Sequence, residues 1–415
     1  ERAFHTSCVE SCVGNGAEWA ALHSAAAVGD RAAVFAAWRA MKIVYLANVD
    51  WFFVSHFLHL AQRARDAGYR VAIAAEIGGE RDRLAALGFD LVPLPSRRGG
   101  VVPRGVGEAA RVVARELERH PGALLHGFGL FGITVGALAR RKTGHLGGQV
   151  YTITGRGYAA VAPTARARLV RGATSGLCRR IADGPRTRWL AENATDIGAC
   201  GLDRAVREGR TAIVGGAGID PERFHAIAMP PRPPLKCALV ARMIWSKGID
   251  IAVDAVTAAR AAGADVELTL VGGLDPANPQ GLSATDIERF AARSGICWRG
   301  RSDDIPGIWR DHHLALLPSR GGEGLPKSLI EAAACGRPIL TTAVPGCAEF
   351  AAATDGWTVP ADDVSALASR LVEIARDQGL AERGAHAARV VAEGYTEAHA
   401  WRVVSRFYDE LAGRR

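Results

Sequence analysis

The sequence predicts an α/β protein built from two doubly wound, Rossmann-like parallel-sheet domains that face one cleft. From residue 41 onward, short aliphatic and β-branched runs alternate with helical segments, as expected for mostly parallel sheets. The 415 residues are enough for two domains, each with its own core. Apolar residues make up 48% of the chain and charged residues 23%, which is typical of globular domains.

The alternation supplies candidate elements for both domains. The strands predicted in the first half are Ile43–Ala47, Val71–Ala75, Leu91–Leu94, Ala123–Phe128 and Gln149–Thr154, and the helices are Val54–Ala67, Gly107–Arg119 and Pro163–Ala182. The strands predicted in the second half are Ala212–Val214, Cys237–Ala241, Val266–Val271, Ile296–Trp298, Leu314–Leu317 and Pro338–Thr342. A last helix, Glu397–Leu411, has its apolar residues at helical spacing.

These elements predict four parts of the chain. Residues 1–40 are expected to be an extension outside the domains, because Met41 opens a typical first strand. A helical N-terminal arm is the alternative for this segment. Residues 41–208 are predicted to form the first domain, and residues 209–395 the second. Residues 396–415 are predicted to form a helix that crosses back toward the first domain.

Charge and cysteine content narrow the class of protein. The net charge of +8 favours anionic partners such as phosphates or anionic lipid, although a generally Arg-rich proteome explains it equally well. None of the eight cysteines shows C-x-x-C spacing, so neither a zinc site nor a redox dithiol is indicated. Reduced thiols in a cytoplasmic protein are the expectation. No run of 18 apolar residues occurs, so a membrane-spanning helix is not predicted.

The segment Leu316–Phe350 carries the most specific pattern. It reads as a strand, a Gly-rich loop with Glu323, a helix with Glu331, and a second strand. Pro326 falls where the first helical residue is expected, and a helix start offers free N–H groups and a positive dipole end to phosphate. Two carboxylates beside a phosphate-binding helix start suit a ligand that has both hydroxyls and a diphosphate, such as a nucleotide-sugar.

Two further segments point to the same chemistry. Arg242 and Lys247 flank a turn after a predicted strand, where they could clamp a diphosphate; two solvated loop cations are the alternative. Gly218, in "GGAGIDPERF", allows close approach of the backbone to a ligand.

Taken together, "EGLPKSLIEAAACGRPI", "LVARMIWSKGID" and "GAGIDPERF" resemble the family 4 glycosyltransferases, which have the GT-B fold. The resemblance covers about residues 41–412. It implies that Glu323 receives the donor sugar hydroxyls beside the anomeric carbon and that Glu331 receives the ribose hydroxyls. It also implies transfer with retention of configuration, without a bound metal or other cofactor.

The same resemblance assigns the diphosphate contacts. Arg242 and Lys247 would hold the diphosphate and stabilise the leaving group, together with the backbone N–H groups of Gly324 and Leu325. Gly218 is included among the residues that bind the donor.

The first domain is similar to a bacterial subgroup that builds surface polysaccharides and glycans on polyprenyl diphosphate, through "NVDWFFVSHFLHLAQRARDAGYRV" and "LLHGFGLFGITVGALARRKTG". This implies a nucleotide-sugar donor, with UDP the expected nucleotide, and an acceptor sugar that is lipid-linked. His126 is expected in the cleft as a catalytic residue that hydrogen-bonds donor or acceptor, and His56 on the acceptor side. A structural histidine is the alternative for both. Arg156 also lies on the acceptor side, where it replaces an apolar residue of the subgroup.

Basic residues suggest where such an enzyme works. The helix Pro163–Ala182 is rich in arginine, and Arg97, Arg98 and Arg104 precede it, so contact with an anionic membrane at its cytoplasmic face is expected. A solvated basic face is the alternative. Nucleic acid is not an expected partner.

Three other functions fit parts of the pattern. A GT-B nucleotide-sugar epimerase would isomerise its substrate without an acceptor, and a phosphorylase would carry a pyridoxal-binding lysine segment that is not found in the sequence. A sugar-nucleotide-binding subunit without turnover is the third. The complete set of Glu323, Glu331, Arg242 and Lys247 argues against this last alternative.

Overall fold

The computed structural model describes residues 41–95, 103–145, 147–157, 164–276 and 278–413. The predicted extension at residues 1–40 lies outside the described residues, as do Arg97 and Arg98. The side chains of Arg104 and Arg166 are likewise outside the description.

The first domain is a seven-stranded parallel sheet in the order β3-β2-β1-β4-β5-β6-β7, with helices between the strands. Its elements in chain order are β1 (Lys42–Val49), α1 (Asp50–Asp66), β2 (Arg70–Glu76), α2 (Arg81–Ala86), β3 (Asp90–Pro93), α3 (Pro103–Arg119), β4 (Leu124–Phe128), α4 (Gly129–Thr143), β5 (Gln149–Ile153), α5 (Ala165–Leu177), β6 (Thr187–Ala191), α6 (Ala194–Ala199), α7 (Asp203–Arg207) and β7 (Thr211–Ile213). A π-helical turn, Cys178–Ala182, continues α5. Strands β4 and β5 are buried along their whole length, as expected for central strands covered by helices on both faces.

The second domain is a six-stranded parallel sheet in the order β10-β9-β8-β11-β12-β13. Its elements are β8 (Leu235–Val240), a 3₁₀ turn (Trp245–Lys247), α8 (Ile249–Ala261), β9 (Val266–Val271), α9 (Ala284–Ala291), β10 (Ile296–Trp298), α10 (Ile305–Asp311), β11 (Leu314–Leu317), α11 (Lys327–Ala334), β12 (Ile339–Thr342), α12 (Cys347–Ala353), β13 (Trp357–Val359), α13 (Val364–Arg376) and α14 (Leu380–Gly394). The chain ends with α15 (Glu397–Leu411).

Both sheets reverse their strand order at one point, between β1 and β4 in the first domain and between β8 and β11 in the second. Ligands of open parallel sheets bind outside the carboxyl ends of the strands at such points. The predicted fold class, two Rossmann-like parallel-sheet domains, is confirmed.

The predicted placement of one strand is wrong. Residues 211–213 form β7 and pair with β6, so they are the edge of the first sheet and not the first strand of the second. The domain boundary therefore lies between Ile213 and Leu235, beyond the predicted division after residue 208. No strand was predicted at β6, and without that neighbour a three-residue strand has no pattern that assigns it to either sheet.

The last helix packs on the first domain. In α15, Val404, Phe407, Tyr408 and Leu411 are buried in the core beneath the first sheet, although the helix follows the second domain in the chain. The guanidinium of Arg188 forms an ion pair with Glu410 at 3.0 Å. The helix thus joins the two domains through an apolar face.

Candidate functional site

Lys247 and Glu323 meet where β8 and β11 end. Lys247 closes the 3₁₀ turn after β8, and its Nζ lies 2.6 Å from Oε1 of Glu323 in the loop after β11. Both side chains are largely buried, and the hydroxyl of Ser319 also donates to Oε1 of Glu323 at 3.3 Å. A cation seven residues beyond β8 and a carboxylate six residues beyond β11 are therefore brought into direct contact at the ends of these neighbouring strands.

Arg242 lies in the cleft between the two domains. Its Nη1 donates to Oδ2 of Asp275 at 2.9 Å, and its guanidinium carbon is 6.0 Å from the centre of the Trp51 ring of the first domain. The side chain is half exposed. Asp275 and Trp51 thus hold a cation at the mouth of the cleft, and the aromatic face adds a cation–π contact.

Glu331 lies on α11 with its carboxyl group mostly removed from water. Burial raises its pKa to about 7, and the cations Lys327 and Arg223 oppose that rise. Within the described residues, no donor bonds to the carboxyl oxygens of Glu331. A carboxyl group in this condition can receive hydroxyl groups, such as those of a ribose. Pro326 precedes α11 in an extended conformation (ψ 119°), so the predicted place at the first helical position is wrong by one residue.

The N–H of Leu325 is not free for a diphosphate in this structure. It donates to Oε2 of Glu192 at 2.8 Å, and the carbonyl of Gly324 accepts from Nδ2 of Asn193 at 3.2 Å. A Cβ at position 324 would collide with the Glu192 carboxylate and with the backbone of Thr154. The glycine is therefore required by the close approach of the first domain.

Glu192 is a site residue that the sequence reasoning missed. It follows β6 directly, is buried, and forms no ion pair with any basic side chain in the described part of the chain. Burial raises its pKa to about 8; the N–H of Leu325 opposes the rise, and the charges of Asp196 and Glu323 add to it. A polar residue after a strand at the carboxyl edge of the sheet was the available signal, but β6 itself had not been predicted.

Other contacts between the domains lie around the hydrogen bond between Glu192 and Leu325. Lys327 Nζ donates to the carbonyl of Ser55 at 2.6 Å. On the other side, Glu349 of α12 accepts from the N–H of Ala194 at 3.2 Å and from the hydroxyl of Thr195 at 2.9 Å. The loop after β11 is thus held against the first domain from several directions.

The prediction that His126 faces the cleft is wrong. His126 is the third residue of β4, is completely buried and stacks on Phe128 with ring centres 4.3 Å apart. Its Nδ1 lies 2.5 Å from the Tyr408 hydroxyl and its Nε2 lies 2.7 Å from Oγ1 of Thr152. Burial lowers its pKa to about 3, so the ring is neutral. Nδ1 is occupied by Tyr408 of α15 and Nε2 by Thr152 of the neighbouring strand β5, contacts that a local pattern does not reveal.

His56 does lie near the cleft cations. Its pKa is lowered to about 3, chiefly by burial and further by the charges of Lys327, Lys247 and Arg242. Its Nδ1 is 2.6 Å from Oγ of Ser55. His56 is thus a neutral imidazole at the side of the cleft formed by α1.

Arg156 and Gly218 have partners within the protein. Nε of Arg156 donates to Oδ1 of the buried Asp196 at 2.7 Å, which ties the side chain to the first domain. Gly218 has φ +74°, and a Cβ there would be squeezed against the backbone of Thr396 and Glu397. The structure therefore gives Gly218 a packing role at the start of α15, and its contact with the donor stays a prediction.

The described segments contain no group of three or more His, Cys, Asp or Glu side chains arranged to hold a metal ion. Of the helices in the described chain, none combines the length and the apolar character needed to cross a bilayer.

Comparison with known proteins identifies the region that carries the site. Residues 234–377 match the family model of "Glycosyl transferases group 1". A putative colanic acid biosynthesis glycosyltransferase of Salmonella typhimurium, WcaL, is 33% identical over 172 residues, which are 39% of this chain and 42% of that protein. The N,N'-diacetylbacillosaminyl-diphospho-undecaprenol alpha-1,3-N-acetylgalactosaminyltransferase of Campylobacter jejuni is 28% identical over 174 residues, 42% of this chain and 44% of the relative. The matched part thus spans less than half the length of these relatives.

A solved structure extends the similarity to the whole fold. Anabaena Alr3699/HepE in complex with UDP-glucose superposes with a TM-score of 0.69 at 16% identity, over 89% of this chain and all of that chain. At this identity the likeness concerns the fold, and it confirms the predicted GT-B architecture.

Proposed function

We propose that this protein is a retaining glycosyltransferase, because residues 234–377 match the family model of the group 1 glycosyltransferases and the chain has the GT-B fold. It moves a hexose or N-acetylhexosamine from a nucleotide diphosphate sugar to an acceptor sugar carried on a polyprenyl diphosphate. The product belongs to the biosynthesis of a surface polysaccharide or glycan.

The observation that carries this proposal is the contact of 2.6 Å between Lys247 and Glu323 beside the start of α11. Glu323 receives hydroxyls of the donor sugar, while Lys247 and Arg242 bind the diphosphate. As the bond to the anomeric carbon breaks, negative charge grows on the departing phosphate oxygen, and the fixed ammonium group stabilises it. The acceptor hydroxyl attacks from the same face and passes its proton to that oxygen, so no metal ion is needed.

The donor half of the proposal rests on the second domain. Glu331 offers a carboxyl group to which none of the described residues donates, suited to the two ribose hydroxyls. UDP is the proposed nucleotide, because the similarly folded Anabaena protein was solved in complex with UDP-glucose. The N–H of Leu325 becomes available to the diphosphate when Glu192 moves away from it.

The acceptor half rests on the first domain and on the names of the relatives. The relatives are described as enzymes of colanic acid and amylovoran biosynthesis and as a transferase acting on a diphospho-undecaprenol glycan. The neutral ring of His56 lies on the acceptor side of the cleft, close to the cations that hold the leaving group.

Peripheral membrane contact at the cytoplasmic face is part of the proposal. Leu169 on α5 is 76% exposed, and Arg168 is exposed next to it in the chain; Arg179 and Arg180 are exposed on the π-helical turn, ten and eleven residues further along. An apolar side chain among cations suits an anionic lipid surface, where each cation contributes about 1 kcal/mol.

The test is a donor screen with the purified full chain. UDP-, GDP-, ADP- and dTDP-sugars are incubated with a lipid extract of polyprenyl-linked glycans, with and without EDTA, and nucleotide release and product mass are measured. The proposal expects one UDP-sugar to be consumed only with acceptor, with equal rates in EDTA and an α-linked product from an α-linked donor. Isomerised UDP-sugar without acceptor would identify an epimerase, and UDP binding without turnover would identify a binding subunit; either result overturns the proposal.

A further inference from the structure

Arg320 has more polar contacts than its place in a loop would suggest. It is the third residue after β11, and its Nη1 and Nη2 donate to the two oxygens of Asp250 at 2.8 and 2.7 Å. Nε donates to Asp362 at 2.6 Å, and Nη1 also donates to the carbonyl of Trp245 at 2.5 Å. The two carboxylates raise the pKa of the guanidinium still further above its ordinary value.

These contacts hold the turn that contains Lys247 at residues on either side of the lysine. Trp245 lies two residues before Lys247, and Asp250 lies three residues after it in the first turn of α8. In addition, the backbone N–H of Arg320 donates to the carbonyl of Ser246 at 2.8 Å. One side chain and its own backbone therefore fix the turn before and after the lysine.

Arg320 also lies in the loop that carries Glu323, the carboxylate of the Lys247–Glu323 pair. It precedes Glu323 by three residues in the same loop. Its neighbour Ser319 donates to Glu323 and accepts from the N–H of Gly321 at 3.2 Å, so the loop is held in one conformation around the guanidinium.

From this arrangement we infer that Arg320 is a positioning residue of the transfer reaction, which joins the turn carrying Lys247 to the loop carrying Glu323. The inference rests on the proposed function. Arg320 acts through the other two residues, since its donors are directed to Asp250, Asp362 and Trp245.

The chemistry explains why such a residue is needed. Lys247 carries its charge on a flexible four-carbon chain, and a displacement of about 1 Å at a reacting centre can cost about 100-fold in rate. A guanidinium that binds a carboxylate with two parallel hydrogen bonds fixes both distance and orientation. Lysine at position 320 would supply only a point charge.

The first experiment compares Asp250→Asn and Arg320→Ala with the control Asp254→Asn. Asp254 lies one turn further along α8 and is also bound to an arginine, Arg293, at 2.5 Å, but that pair is partly exposed. We expect kcat for sugar transfer to fall about 10- to 100-fold in the two test variants, with the donor KM changing about threefold or less. The control should keep kcat within about twofold. Equal effects in Asp250→Asn and Asp254→Asn would overturn the inference.

The second experiment asks whether Arg320 acts through Lys247. Arg320→Lys, which retains the charge and is the safer variant for folding, is measured alone and together with Lys247→Ala. We expect the loss caused by Arg320→Lys to shrink to about twofold when Lys247 is already absent, because coupled residues are non-additive. Fully additive losses would show a general structural role instead.

The third readout does not depend on activity. Crystal structures of Asp250→Asn and Arg320→Lys are expected to show Nζ of Lys247 beyond hydrogen-bonding distance of Glu323. If both variants keep the contact at 2.6 Å, as in the present structure, the inference fails even if transfer is observed. If the wild-type protein transfers no sugar, the proposed function fails, while the distance still decides the role of Arg320.

Discussion

Glu192 of the first domain accepts a hydrogen bond from the backbone N–H of Leu325 in the second, at 2.8 Å. This N–H lies just before α11, where the resemblance to glycosyltransferases assigns the donor diphosphate. A helix start favours an anion. Under the proposed function, a donor diphosphate that binds there has to displace Glu192 from this N–H group.

Replacing Glu192 with glutamine should strengthen nucleotide binding above pH 8, where the wild-type carboxyl group is charged. The pKa of Glu192 is raised to about 8, so the wild-type carboxyl group gains its charge as the pH passes through about 8 and then repels a diphosphate. We expect the wild-type Kd for UDP to increase several-fold between pH 7 and 9, and the Kd of Glu192→Gln to change little. Calorimetric titration measures both. Glu349→Gln is the matched control, because Glu349 also joins the domains but accepts from Thr195 and Ala194.

The same carboxyl group should make stability depend on pH. Its pKa is about 8 in the folded protein and near the ordinary 4.5 in the unfolded chain. Between these values the folded state holds a proton that the unfolded state has lost, so the free energy of unfolding decreases as pH rises from about 4.5 to 8. Glu192→Gln should remove that slope and be more stable than the wild type at pH 8.5. Thermal unfolding at pH 5 to 9 measures it, and parallel curves for the two proteins would contradict the assignment.

Removing either member of the Lys247–Glu323 pair should abolish most of the transfer. We expect Lys247→Ala and Glu323→Ala each to lower kcat/KM by about 100-fold or more, because each loses an interaction with charge or hydroxyls in the transition state. Lys236→Ala, at the opposite end of β8, should have little effect. Donor turnover is measured per folded protein, with circular dichroism as the folding check. Near-normal rates in either variant would refute the site assignment.

Tyr408→Phe tests whether His126 is structural. The substitution removes the hydroxyl that lies 2.5 Å from Nδ1 of His126 and 3.2 Å from the Tyr45 hydroxyl, both buried. The free energy of unfolding should fall by about 1–3 kcal/mol, since a buried partner is left unpaired. Denaturant titration measures this loss. The value of kcat/KM should stay within about twofold of the wild type, whereas a much larger loss of activity would return His126 to catalysis.

A substitution at Leu169 tests whether α5 contacts the membrane. Leu169→Asp removes an exposed apolar side chain next to Arg168 and adds a negative charge, so binding to vesicles with anionic lipid should fall several-fold at 0.1 M salt. Val206→Asp is the control, since Val206 is also half exposed but lies on α7. Co-sedimentation with vesicles measures binding. Unchanged binding of Leu169→Asp would exclude α5 as the membrane surface.

Local patterns were sufficient for the fold class and for the pair at the centre of the site. The strand Leu314–Leu317 has the predicted bounds, and the alternation of strand and helix places Lys247 and Glu323 after strands that are neighbours in the sheet. Two residues after adjacent parallel strands reach the same edge, so their contact follows from topology. In contrast, β6 has no apolar run long enough to be recognised, and Glu192 was missed with it.

The sequence by itself determined the two parallel sheets and the residue types at the ends of β8 and β11, because hydrophobic periodicity and the turn and helix-start residues are local properties. Only the tertiary structure decided which of the predicted site groups have polar atoms that are not already hydrogen-bonded within the protein. His126 is occupied because α15 returns from the end of the chain and brings Tyr408 to it. The N–H of Leu325 is occupied because the two domains close on Glu192. Contacts between residues 133 and 282 positions apart depend on packing, which no short stretch of sequence records.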